Sequence, residues 1–192
     1  MNEKGLSIDE IINNTIDDLK RTRTNRLLAS QRLLLFANRW NNLSFLINVV
    51  AMTFAVISVL SNVSEHFTWL STFYAIYVIL LQYFLANKDY NARSSKLHYE
   101  QLEINNIRMK LKILSANKTL KENDKAKYFQ EIFSEYNISL NNNENHTKLD
   151  DQRGKDPSGK HRDFSFDNVF IYLNLIICIV VTIFGWWMLR HG

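Results

Sequence analysis

Three primary amides, Asn48, Gln82 and Asn174, stand inside stretches of the chain that carry no Asp, Glu, Lys or Arg. A primary amide stranded in hydrocarbon is costly, so each of these needs a partner. Two chemistries fit. One is a layer of interhelical hydrogen bonds, worth about 1 kcal/mol each, that holds the surrounding helices together. The other is the polar lining of an aqueous path, built when subunits assemble. Thr53, Ser58 and Ser61 continue a rough polar stripe beyond Asn48 that suits such a lining, although small hydroxyls also serve as packing residues in membrane helices. With no charge in these stretches, a proton-coupled pump, a voltage sensor and an ion-coupled transporter are all disfavoured, because each usually places a charge in the membrane.

Other chemistry finds little support. His66, His98, His146, His161 and His191 are scattered without metal-ligand spacing, so no metal site is expected. Five glycines in 192 residues leave no Gly-rich phosphate loop, and no nucleophile elbow or serine triad can be assembled. Neither enzymatic activity nor a cofactor is expected. Cys178 is the only cysteine, which rules out an internal disulfide or a cysteine-based zinc site and fits a bacterial inner membrane.

The elements that position the amides are the uncharged stretches themselves, Asn42–Ser64, Phe67–Asn87 and Asn168–Leu189. At about 1.5 Å rise per residue each spans roughly 30–35 Å, the thickness of the hydrocarbon core. The averages conceal them: the chain is 46% apolar with a mean hydropathy of −0.20, as in a soluble protein. The first stretch begins too far along the chain for a cleaved signal peptide with a short n-region. The link between the first two stretches, a tight turn expected around Glu65–His66, has no Lys or Arg, whereas the flanks on the other side are rich in both. The positive-inside rule then puts the N-terminus and residues 88–167 in the cytoplasm, with the hairpin turn and the C-terminus outside. Trp40 falls at the cytoplasmic edge and Trp69, Trp186 and Trp187 at the outer ends, where membrane tryptophans concentrate. In this arrangement the three amides share a depth of about 8–9 Å below the cytoplasmic surface.

The polar remainder reads as helical. Ser7 and Glu10 form a capping-box pattern ahead of an amphipathic cytoplasmic helix within residues 1–41, and no proline or glycine interrupts residues 6–153. Net charge is +4 overall, too thinly spread for a nucleic-acid surface, and no direct nucleic-acid binding is expected. The concentrated exception runs from Lys20 to Arg39, where Arg21, Arg23, Arg26, Arg32 and Arg39 occur without an acid and read as a lipid-facing basic flank. In residues 88–140, which continue from the second stretch without an evident breaker, Tyr90, Leu97, Ile104, Ile107, Leu111 and Leu114 form a heptad-like stripe. Its two readings are intrachain packing and a subunit-assembly surface, and Arg93 and Glu100 interrupt it. A further short helix is expected over residues 124–136. Residues 141–167 hold the only proline and read as a flexible linker to the third span, residues 168–192. The fold class is therefore an all-α integral membrane protein: a transmembrane helical hairpin, long cytoplasmic helices and a third, C-terminal transmembrane helix.

This arrangement resembles the SLATT family, the SMODS- and SLOG-associating two-transmembrane effectors. The likeness rests on the short-looped hairpin over residues 42–87, on the helix opening Lys88-Asp89-Tyr90-Asn91-Ala92-Arg93-Ser94-Ser95-Lys96-Leu97-His98-Tyr99-Glu100-Gln101-Leu102, and on an Arg- and Leu-rich N-terminal helix ending in Trp40-Asn41. It covers roughly residues 10–140, and the third span departs from the two-span pattern. The resemblance implies an oligomeric, pore-forming effector of antiphage defence that kills or arrests its host once a partner senses infection. That partner would be a nucleotide-signalling protein or, in some branches, a reverse transcriptase. The competing reading is a membrane tether that recruits a cytoplasmic partner; a holin-like lysis protein fits less well with so large a cytoplasmic body.

Overall fold

The computed structural model describes residues 6–60, 63–140, 148–156, 163 and 165–191. Among them there are six helices and no strand, and three of the helices are long and apolar enough to cross a membrane. The chain folds as two compact units, Met1–Arg32 with Ala92–His161, and Leu33–Asn91 with Arg162–Gly192.

The first helix, α1, is unbroken from Ile8 to Leu60, so the N-terminal amphipathic helix and the first apolar span are one element. It starts on the capping box: the Ser7 amide donates to Glu10 Oε2 at 2.8 Å and the Glu10 amide to Ser7 Oγ at 3.3 Å. The reciprocal bonds satisfy backbone donors that the first turn leaves open.

Helix α2 runs Glu65–Lys88. Glu65 and His66, expected in the turn, instead open this helix. The Phe67 amide donates to Ser64 Oγ at 3.4 Å, and a carboxylate in the first turn is favoured by the helix dipole. Helix α3, Tyr90–Ala116, follows after a single residue. That residue, Asp89, adopts a left-handed conformation with φ 38°, so the chain does break where no breaker was evident. Aspartate tolerates this region better than most side chains.

Helix α4 spans Glu122–Leu140 and α5 spans Lys148–Lys155. The second of these falls within the stretch expected to be a flexible linker, and Asp150 on it is fully buried. Residues 141–147, 157–162 and 164 of that stretch, like Ser61, lie outside the described residues. Helix α6, Phe166–His191, carries the third apolar stretch.

In the first unit, Ile12, Ile16 and Leu19 of α1 pack with Ile104, Ile107, Leu111 and Leu114 of α3, and Phe129, Ile132 and Tyr136 of α4 lie against them. In the second unit, burial follows alternating steps of three and four: Trp40, Leu43 and Ile47 on α1, Phe67, Ser71, Tyr74, Val78 and Leu81 on α2, Ile171, Asn174 and Cys178 on α6. That spacing is the seam of left-handed helix packing, used in membranes as in coiled coils. Outside the seam the surface is apolar. Phe45 is 72% exposed, Ile79 68% and Ile183 65%, and at most 22% of each apolar window is buried. Contiguous apolar surface on this scale needs lipid against it.

Gly185 packs directly against the Phe54 ring. A Cβ there would lie 2.8 Å from Phe54 Cε2, and Phe54 is itself wedged against Phe67, ring centroids 5.3 Å apart. Gly185→Val is therefore expected to destabilise the second unit by about 1–3 kcal/mol, while Ile183→Val on the exposed face changes little. Thermal unfolding of both variants in mild detergent checks this.

Candidate functional site

The three amides meet different fates. Asn48 and Gln82 line one cavity of about 520 Å³, together with Trp40 and Ser44 of α1, Asp89 and Tyr90. Gln82 comes to the cavity from α2. Its amide nitrogen is buried with no hydrogen-bond partner among the described residues, and so is the indole nitrogen of Trp40. Two donors thus lie buried within the residues that line this cavity.

Asn174 is not part of that lining. It is 1% exposed. Its amide nitrogen donates to the Phe170 carbonyl at 2.7 Å, and its oxygen accepts from the Tyr77 hydroxyl. Both ends of this amide are satisfied inside the bundle, which makes it an interhelical tie between α2 and α6. The Tyr77 hydroxyl was legible as a polar group in an apolar stretch, but nothing in the spacing pairs it with Asn174. Thr53 and Ser58, the other members of the polar stripe, donate to the Val49 and Ala55 carbonyls of their own helix.

The start of α6 is fixed by charge. Asp167, in its first turn, accepts from the Tyr90 hydroxyl at 2.7 Å and lies 3.5 Å from Lys88 Nζ. Arg39 of α1 donates to Asn168 Oδ1 at 2.9 Å.

The basic flank is not a lipid-facing surface over most of its length. Arg26 is 4% exposed and its Nη1 lies 3.0 Å from Glu100 Oε2 on α3. Arg32 reaches Asp150 at 3.1 Å and Arg21 reaches Asp151 at 2.7 Å, both on α5. Arg23 donates to Gln101 at 3.3 Å. The acids missing from the local sequence come from two distant helices. Between these pairs, Ser30 Oγ donates to the Ser94 carbonyl at 2.9 Å, and both serines are buried. Glu100, read in the sequence as an interruption of the α3 stripe, is the partner of a buried arginine.

That stripe is itself consumed within the chain. Tyr90, Leu97, Ile104, Ile107, Leu111 and Leu114 are all at most 7% exposed, so these residues present no outward face for assembly. Their burial follows the intrachain reading.

Two carboxyls carry the electrostatic signature of this arrangement. Burial pushes the Glu100 carboxyl above the usual carboxylate range, and Arg26 only partly opposes it. Hydrogen bonds from Lys155, Arg21 and Asn25 hold the Asp151 carboxyl far below that range. Among the described residues no cluster of His, Cys, Asp and Glu could hold a metal.

Residues 8–191 match the family described as SMODS and SLOG-associating 2TM effector domain family 5. The chain is a membrane protein of this effector class, and it belongs to that family. The match runs through α6, so the third span lies within the family's extent and not beyond it. No curated protein and no solved structure matches the chain.

Three outcomes are expected from these contacts. Asn174→Leu strands the Tyr77 hydroxyl and lowers stability by about 1 kcal/mol or somewhat more, whereas Gln82→Leu removes an amide nitrogen that has no partner and leaves thermal unfolding in detergent unchanged or raised. The sign for Asp151 is that of a depressed carboxyl. Its contribution is complete above the unfolded value of about 3.9 and is lost as the pH falls toward the folded one. Asp151→Asn should therefore lack part of the acid limb that wild type shows in a pH series of thermal unfolding.

Proposed function

We propose that the chain is an oligomeric effector of bacterial antiphage defence that permeabilises the inner membrane when a partner sensor activates it, and that it has no enzymatic activity of its own. The observation that carries this reading is the cavity between α1 and α2. It is lined by Asn48, Ser44 and Gln82, whose amide nitrogen has no partner among the described residues, in stretches of α1 and α2 whose exposed surface is otherwise largely apolar. A donor in that position needs water, an ion's hydration shell or another subunit. A polar face too small to enclose a path within one chain becomes a lining when several copies bring it to a common axis.

Family membership supports the effector role and an association with SMODS or SLOG proteins. The topology we propose keeps the N-terminus and residues 88–167 in the cytoplasm, where such a partner would reach them, and places the C-terminus outside.

The test is membrane potential during controlled expression of wild type and of Asn48→Leu/Gln82→Leu, both brought to equal levels in the membrane. Wild type is expected to depolarise cells, in the presence of its partner and trigger if these are needed, and the double variant to do so several-fold less. Asn174 is left intact because it ties α2 to α6. Absence of depolarisation in wild type under every condition would leave a tether that recruits a cytoplasmic partner.

A further inference from the structure

The stripe of α3 that packs inside the chain has an outward counterpart. On the opposite face, Tyr99, Leu102, Asn106, Met109 and Ile113 follow one another at steps of three, four, three and four. All five are exposed, with Tyr99 at 68% and Ile113 at 69%. This is a heptad seam with an asparagine at its centre, on a segment otherwise dense in charge, and none of the described helices covers it.

The geometry points to a second copy of the same chain as its occupant, docked in parallel through α3. This deepens the effector reading, on which it rests, by naming the surface that brings subunits together. A parallel, in-register pair places each seam residue against its own counterpart in the other copy. In that register Asn106 faces Asn106. A primary amide carries both donor and acceptor and satisfies its own kind, whereas opposite an unrelated apolar helix it would be buried without a partner. A single asparagine at such a position is the known device for choosing register and number of strands.

The flanking polar side chains agree. His98 and Glu103 stand five residues apart, the relation that lets side chains bordering the seam pair across two parallel copies. Lys110, which also borders the seam, is held 2.8 Å from Glu135 of its own chain, so it is neutralised before a second copy arrives. Two heptads are too few to hold a coiled coil together in dilute solution. Confinement to the bilayer supplies the effective concentration that makes so short a seam sufficient, and keeps it reversible.

The experiment uses the full chain in native membranes, with Cys178→Ala as background. Asn106→Cys and Leu102→Cys are oxidised in place, beside Glu131→Cys on α4 as an exposed control. Covalent dimer is expected from both seam positions, at several-fold the yield of the control. Equal yields would overturn the proposal. Leu102→Glu/Met109→Glu in the Asn106→Cys chain should abolish the dimer while the helical signal in circular dichroism is retained; persistence of the dimer there would also overturn it. Conductance is scored separately in the same membranes. Dimer without conductance keeps this interface and removes the pore, and conductance without dimer keeps the pore and removes this interface.

Discussion

Because α1 is unbroken from Ile8 to Leu60, it contributes to both units, and every other described helix finds a partner on it. Ile12, Ile16 and Leu19 serve α3 and α4, Arg32 serves α5, Phe54 serves α2, and Trp40 meets Phe170 of α6 with ring centroids 5.6 Å apart. A helix satisfies its own backbone polar groups along its whole interior, which is what allows one element to pass from a polar unit into an apolar one. The side chains must change along the way, and the demand on them differs on the two sides. Where the chain is polar, charges can be buried only in pairs. Where it is apolar, each remaining polar group must find a partner or face a cavity.

The pairing side of this constraint explains the concentration of arginine in α1. Arg26 and Arg32 are buried or nearly so, and leaving either without its acid would expose an uncompensated charge to a weakly polar interior. Their acids, Glu100 and Asp150, come from separate helices, so the pairs oblige α3 and α5 to sit at defined places along α1. Glu100 shows the cost directly. Its carboxyl is pushed up by burial even with Arg26 at 3.0 Å, which means desolvation outweighs the attraction. Such a pair contributes less to stability than to fixing which face of α3 turns inward.

The same division decides what could be read from the sequence. The apolar helices, the capping box at Ser7 and the inward stripe of α3 are legible because their signals are local: hydrophobic period, run length and a four-residue motif. Arg26–Glu100 and Arg32–Asp150 are not, since a single sequence does not show which of many acids returns to a given arginine. The docked α5 was hidden for the same reason. Its composition is that of a linker, and only its contacts to Arg21, Asn25 and Arg32 make it structural. The break at Asp89 was invisible because one left-handed residue needs no proline or glycine to occur.

The amides show where local reading stops. Asn48, Gln82 and Asn174 are alike in type and in distance from the ends of their stretches, and on that basis they form one layer. In the folded chain they divide by partner. Asn174 is spent on Tyr77 and Phe170, so it can hold helices together but has nothing left to offer water. Gln82 and Asn48 sit on the opposite footing, at a cavity wall, with the Gln82 nitrogen unclaimed. A membrane protein retains a polar group in that condition only if something else in its working state satisfies it. The two remaining amides are therefore the ones our proposal assigns to the lining, and the third belongs to the architecture, where it ties α2 to α6.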